Sequence, residues 1–346
     1  MDKTKNEDYK SVLISSLIAI ALLAALLGLP AIKSLDFLIL AMLVLPPLFA
    51  FTVASGGYVL GALAMALCFA VGYALDNRLA VILAAICLPF AFAAGYAVRA
   101  RLRLRHSVMA SGAAALAGVL LGVGALWLMT GQMPVDFFAN QLEGSFSGLS
   151  DAEVLSLYQL VRIPDLFTGA VTQAALDSAS RADAVTYLVG LFREALNYHL
   201  VGMIGCYSLL MGLTGYLIPR ALRKKLGDDV VAIPPFAEFS LPRRFWLAFA
   251  LSYLFAIIGS SYGWPGFAIL EVTVLSIYGL VLSVQGLAFL DFLYQRNKMG
   301  KGVRVVLHAL GLIISSMLGN LLMWLGLFEN IANLRVRMDT KGGVVP

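Results

Sequence analysis

The chain has 346 residues, of which 60% are hydrophobic and 13% charged, and its mean hydropathy is +0.88. Soluble domains carry about 25% charged residues, and a chain of this size cannot hide such an apolar surplus in one water-soluble core. The composition therefore excludes a soluble protein and predicts a membrane protein, with the lipid bilayer as a partner. The net charge of +5 predicts no nucleic-acid partner, because the basic residues gather at the ends of apolar runs, where they set membrane orientation.

Nine apolar runs are long enough for membrane-spanning helices, since about 20 mainly apolar residues cross a bilayer core about 30 Å thick. In chain order they are 11–29, 36–53, 56–75, 79–98, 108–130, 193–218, 245–260, 266–290 and 305–328. Only a helix satisfies its own backbone hydrogen bonds within lipid, so the predicted fold class is all-α, a polytopic transmembrane helical bundle. We expect a five-span half (1–130), an extracytoplasmic segment (131–190) and a four-span half (191–346).

The segment 131–190 carries seven acidic residues against two arginines. Val154, Leu155, Tyr158 and Val161 recur at helical spacing, which predicts short amphipathic helices lying on the outer membrane face. Two interpretations remain open for this insertion: a lid that covers a substrate, and a packed structural connector.

Basic residues concentrate in three loops, of which the third (Arg296, Lys298, Lys301 and Arg304) precedes the last span. The first two contain Arg99, Arg101, Arg103 and Arg105 after the fourth span, and Arg223, Lys224 and Lys225 after the sixth. Short basic loops stay cytoplasmic, so we expect a bacterial cytoplasmic (inner) membrane protein with its N-terminus inside. Nine spans place the C-terminal tail outside although it carries Arg335, Arg337 and Lys341. Either the tail tolerates them or one span is misread.

Polar residues toward the outer ends of the sixth, eighth and ninth spans are the candidates for function, because such residues are costly within a membrane. The candidates for binding a substrate are Arg193, Glu194, Asn197, His199, Glu271 and Asn320. At similar depth, Arg193 or His199 can face Glu271 in an outward-opening polar pocket. The alternative is that Arg193, Glu194 and Glu271 merely lie at the level of the lipid headgroups.

Catalytic and metal-binding motifs are missing from the sequence. It contains no HExxH, GxSxG, Walker or Cys/His ligand pattern, and its three cysteines lie in apolar runs, where a cysteine acts as a small hydrophobe. We therefore expect no enzymatic activity, no catalytic residue, no metal and no cofactor.

A family resemblance is carried by the run from Leu282 through Gln285-Gly286 to Arg296, and by the closing stretch from Gly326 to Arg337. These residues resemble the YybS-like family of bacterial multi-pass membrane proteins, over residues 266–338. That family is distantly similar to the substrate-binding components of energy-coupling factor transporters, which bind a small solute near the outer face under an extracellular loop. The resemblance extends to Ala21-xxx-Ala25, but nine spans depart from the six helices of those transporters.

Two functional hypotheses follow. The first is a solute-binding or transport-related membrane protein that works with another membrane or cytoplasmic subunit, because the sequence contains no ATP-binding segment. The second is a non-transporting scaffold that recruits partners through the cytoplasmic basic loops.

Overall fold

A computed structural model describes residues 10, 12–21, 35–164, 170, 172, 178–228 and 230–341. Of the described residues, 84% are helical and none lies in a strand. Five helices are long and apolar enough to cross a membrane: Met42–Leu75, Asn77–Arg99, Leu104–Thr130, Arg181–Lys225 and Phe267–Arg296. The all-helical membrane class is therefore confirmed.

Twelve α-helices follow one another along the described part of the chain. They are α1 (Val12–Ala21), α2 (Leu35–Leu75), α3 (Asn77–Arg99), α4 (Leu104–Thr130), α5 (Pro134–Phe146), α6 (Asp151–Val161), α7 (Arg181–Lys225), α8 (Phe245–Ser261), α9 (Phe267–Arg296), α10 (Lys301–Met317), α11 (Leu321–Ala332) and α12 (Leu334–Lys341). Residues 22–34, which include the end of the first predicted span and Ala25, lie outside the described residues.

Helix α2 consists of two arms that fold back on each other at Gly57. Gly57 has a left-handed φ of 77°, and the α-carbon of Val53 lies 3.0 Å from the position of a Cβ built on Gly61. Eight residues of straight helix separate α-carbons by about 12 Å, so the chain reverses direction here. The predicted spans 36–53 and 56–75 correspond to the two arms.

The arms of α2 share one core with α3. Leu45 and Phe49 of the first arm and Met65 of the second pack with Leu83 at 0–1% exposure. Helix α4 approaches α3 closely, because a Cβ on Gly118 would overlap the carbonyl oxygen of Ile86. Close approach through small residues is typical of helix packing in membranes, and α2, α3 and α4 all also contact α7.

Helix α7 has 45 residues, a length of about 66 Å at 1.5 Å per residue. This is about twice what a bilayer core requires, and the N-terminal part of α7 packs with α5 and α6. Phe146, Val154, Tyr158, Ala184 and Leu188 form a buried core of their own. The two short helices thus bury apolar side chains against each other and α7. The expected domain boundary at residue 190 falls inside this continuous helix.

The chain between 301 and 341 forms a helical hairpin. The predicted last span, 305–328, is not one helix, because Gly319 and Asn320 both adopt left-handed φ values and end it. Ser315 fixes the turn: its carbonyl oxygen accepts from the Asn320 N–H (2.8 Å) and its hydroxyl oxygen accepts from the Leu322 N–H (3.0 Å). Helices α10 and α11 are 17 and 12 residues long, about 25 and 18 Å.

Contacts with α9 show the direction of each arm of this hairpin. Arg304 contacts Asp291 at 3.0 Å and His308 contacts the Leu287 carbonyl oxygen at 3.3 Å, so α10 runs antiparallel to α9. Glu329 instead bonds to Gln285, and Arg335 lies over the ring of Phe289, so α11 runs in the same direction as α9. The segment after α11 therefore returns to the end of the bundle where α9 ends.

We call that end the basic end; it comprises the Gly57 kink, the loop 100–103, the segment 226–244 and α12. Arg99 lies against Gly57, and the Tyr216 hydroxyl donates to the Leu102 carbonyl oxygen at 3.2 Å. Arg335 Nη1 donates to the carbonyl oxygens of Ala237 and Phe239 at 2.6 and 2.8 Å. The tail arginine and the loop 219–244 thus lie on the same side.

Candidate functional site

A groove of about 490 Å³ lies between α7 and the start of α9, at the end of the bundle opposite the basic end. Its volume falls in the range of about 300–1,000 Å³ that is typical of small-molecule sites. The residues that line it combine charged, amide and aromatic side chains: Arg193, Glu194, Asn197, Tyr198, Trp264 and Ile269. The groove therefore offers both hydrogen-bonding groups and apolar contact to a small polar molecule.

Local structure positions both walls of the groove. Arg193 and Asn197 are four residues apart, so they project from the same face of α7. On the other wall the left-handed Gly266 (φ 79°) starts α9, and Trp264 packs edge-on against Phe267 with ring centroids 5.1 Å apart. The turn thus holds the indole beside the polar residues of α7.

Arg193 connects the groove to the acidic segment. Its Nε lies 3.4 Å from Asp136 Oδ1 of α5, and the side chains are 46% and 53% exposed. Such exposed pairs contribute only about 0–1 kcal/mol to stability. The ion pair therefore serves to orient the guanidinium rather than to hold the fold together.

The structure brings together three of the six predicted binding residues. Arg193, Glu194 and Asn197 line the groove, whereas His199 is exposed on α7 outside its lining. Glu271 is half-buried, does not line the groove and forms no hydrogen bond or ion pair with any described residue. The carboxylate beside Arg193 is that of Asp136. Asn320 is exposed at the turn of the C-terminal hairpin, directly before α11, and not in the outer third of a continuous last span as expected.

Most of the residues of the basic loops are exposed at the surface. Arg99, Arg101, Arg103, Arg105, Lys224 and Lys225 are exposed. Arg223 is instead held within the fold, since its Nε lies 2.5 Å from Asp228 Oδ2 and its Nη1 donates to the Ala54 carbonyl oxygen. A scaffold function therefore has fewer free cations in the loop 219–244 than the sequence suggests.

A buried polar cluster at the basic end is not predicted by the sequence. Gln285 and Glu329 are 1% and 5% exposed, and the Gln285 amide donates to the Glu329 carboxylate. The other Glu329 oxygen lies 3.3 Å from Arg335 Nε. Asn330 accepts from the Trp246 N–H (3.0 Å) and donates to the Pro242 carbonyl oxygen (3.1 Å).

Two signals in the sequence point to this cluster. Glu329 follows an apolar run directly, and an ionisable residue there suggests a functional role. Gln285 and Arg335 both lie within the stretches that carry the family resemblance. Neither signal reveals that residues 44 positions apart are bonded to each other.

A metal site is not formed by the described residues, among which no three or more His, Cys, Asp or Glu side chains cluster.

Comparison with known families shows that residues 180–329 match the model of a family described as "Predicted membrane protein (DUF2232)". The matched part runs from the start of α7 to Glu329 and includes the groove. No curated protein and no solved structure matches the chain significantly.

Proposed function

We propose that the protein binds a small polar solute in the groove between α7 and α9. The observation that carries the proposal is the 490 Å³ groove with Arg193, Glu194 and Asn197 on one wall and Trp264 on the other. The groups needed to fix a polar ligand and the apolar surface needed to hold it are thus in one place. The groove contains binding groups without an activated nucleophile, so binding rather than catalysis is the role proposed.

The proposed orientation has the N-terminus and the basic end in the cytoplasm of a bacterial cell. The positive-inside rule supports it, because every basic loop and the tail residue Arg335 lie at that end.

We further propose eight membrane crossings followed by a re-entrant hairpin, instead of nine. Both arms of the hairpin have their far ends at the basic end, and Met323, just after its turn, lies beside Gly279 in the middle of α9. The hairpin therefore turns around within the bilayer, and the tail returns inside.

The resemblance to the YybS-like family, and through it to the binding components of energy-coupling factor transporters, agrees with this function. In those transporters a solute lies near the outer face under an extracellular loop. Here α5 contacts the groove through Asp136, which pairs with Arg193. Transport by this route requires a coupling subunit as the protein partner.

The test is a thermal-shift screen of small polar metabolites against the purified protein. A ligand at 100 times its Kd stabilises the state it binds by about 2.7 kcal/mol, which raises the unfolding temperature measurably. Arg193→Ala and Asn197→Ala should each reduce the shift. The exposed Thr186 on the same helix does not line the groove, so Thr186→Ala is the matched control.

A ligand whose shift survives Arg193→Ala and Asn197→Ala contradicts the proposed site. If no metabolite stabilises the protein, while a partner co-purifies with it and is lost on neutralising Lys224 and Lys225, the scaffold alternative replaces solute binding.

A further inference from the structure

A second cavity, of about 450 Å³, lies at the basic end. It is bordered by the segment 236–243, the last part of α9 and the residues on both sides of the α11–α12 junction. The buried cluster of Gln285, Glu329 and Arg335 forms its floor, and Arg243 and Glu238 border it as exposed residues. It is separated from the groove along α9 by the 16 residues from Ile269 to Gln285, about 24 Å.

Arg335 is the unusual member of this cluster. The residue is 9% exposed, and its Nη1 is satisfied by the carbonyl oxygens of Ala237 and Phe239. Its Nε lies 3.3 Å from a Glu329 oxygen, but neither Nε nor the buried Nη2 has a hydrogen-bond partner among the described residues. An unsatisfied buried donor on a charged group is unfavourable, so a ligand that reaches Nη2 would gain the hydrogen bond that the fold leaves unmade.

The cavity lining contains two arginines, Arg243 and Arg335, and two glutamates, Glu238 and Glu329, so it offers cations to an oxyanion and acceptors to hydroxyl groups. Glu329 is already engaged by Gln285 and Arg335. Arg243 forms no ion pair with any described residue, so two guanidinium groups are available to an oxyanion, which Arg binds well. Glu238 and Asn333, also on the border, can accept hydrogen bonds from hydroxyl groups of the same molecule.

We propose that this cavity binds a hydroxylated phosphate ester, with the phosphate between Arg335 and Arg243 and the hydroxyl groups toward Glu238 and Asn333. The same chemistry is present in a free sugar or glycerol phosphate and in the headgroup of phosphatidylglycerol. A pocket between helices that presents two arginines on the proposed cytoplasmic side suits an anionic lipid headgroup. This site is independent of the groove at the other end of α9.

The experiment compares Arg243→Gln with Arg244→Gln in the full-length protein. Both residues are exposed and carry the same charge, but only Arg243 borders the cavity, and the Arg244 side chain makes no capping hydrogen bond. Thermal stability is measured in neutral detergent with sn-glycerol 3-phosphate, and in micelles that contain phosphatidylglycerol or phosphatidylcholine. Arg243→Gln should weaken the stabilisation by the phosphate ester about tenfold in apparent affinity.

The outcomes separate the two sources of the ligand. Stabilisation by sn-glycerol 3-phosphate that is weakened only by Arg243→Gln supports a free phosphate ester. Stabilisation confined to phosphatidylglycerol, with the same dependence on Arg243, supports a lipid headgroup. Equal effects of Arg243→Gln and Arg244→Gln, or no stabilisation by either compound, overturn the proposal.

Discussion

At the scale of single residues, two glycines determine how closely the C-terminal hairpin approaches α9. A Cβ on Gly326 would overlap the carbonyl oxygen of Leu282, and one on Gly286 would overlap that of Leu322. The backbones therefore touch, which is the close approach that small residues allow in membranes. This contact positions Glu329, three residues after Gly326, beside Gln285.

We predict that Gly326→Ala destabilises the protein by about 1–3 kcal/mol, the usual cost of overpacking a tight interface. The added methyl group must separate α11 from α9, because the atom that it meets is backbone and cannot rotate away. The measurement is thermal or denaturant unfolding in detergent.

Gly311→Ala in α10 is the control. Its Cβ would meet only Leu290 Cδ1, at an ordinary 3.7 Å, and replacing a mid-helix glycine by alanine stabilises by about 0.5–1 kcal/mol. Equal losses in both variants would show that the α9–α11 contact is not the constraint.

At the scale of elements, α6 begins with a reciprocal cap. The Ser150 N–H and hydroxyl both donate to Glu153 Oε2 at 2.7 Å, and the Glu153 N–H donates to the Ser150 hydroxyl oxygen at 3.4 Å. The hydroxyl bond, and then the backbone bond, hold the pKa of Glu153 below its ordinary value of 4.5. The cap therefore depends on the ionised carboxylate.

This lowered pKa gives a prediction with a definite sign. The ionised Glu153 carboxylate stabilises α6 fully above pH 4.5, the ordinary pKa of a glutamate. This stabilisation is lost as the pH falls through the lowered pKa of Glu153 in the folded protein. A nitroxide at the exposed position Leu160 should therefore become more mobile below that pH, which electron paramagnetic resonance measures.

Glu153→Gln should abolish this change, since glutamine still accepts from Ser150 but does not titrate. Glu143→Gln, at an exposed position of α5, should leave it intact. A transition that persists in Glu153→Gln would assign the pH dependence to another group.

At the scale of the whole molecule, the hairpin decides which side of the membrane the tail occupies. We predict that reporters fused after residues 230 and 341 give the cytoplasmic signal, whereas one fused after residue 160 gives the opposite signal. The reason is that Arg335 binds the carbonyl oxygens of the segment 226–244, so the two must lie on one side. An external signal at 341 would restore nine full crossings and contradict the hairpin contacts.

The sequence could predict the helical class and the positions of most apolar helices. Long apolar runs favour lipid, and within lipid only a helix pairs all the backbone hydrogen-bonding groups of such a run. It could not divide 305–328, since that run stays apolar while Gly319 and Asn320 turn the chain through their left-handed backbone. The basic residues of the tail indicate that this span is misread, because nine crossings would place them outside. Half of the proposed binding set could be predicted from helical spacing, but Trp264 and Asp136 reach the groove through tertiary packing alone.

The length of α7 has a mechanical consequence. Between Arg181 and Pro219 α7 is one unbroken helix. A tilt of the helix axis at one end therefore also moves the other end. The groove residues lie about 33 Å from Pro219 along the helix axis, and a tilt of about 5° around them displaces that end by about 3 Å. A solute that binds beside Asn197 and tilts α7 would therefore displace the helix at the basic end, far from the groove.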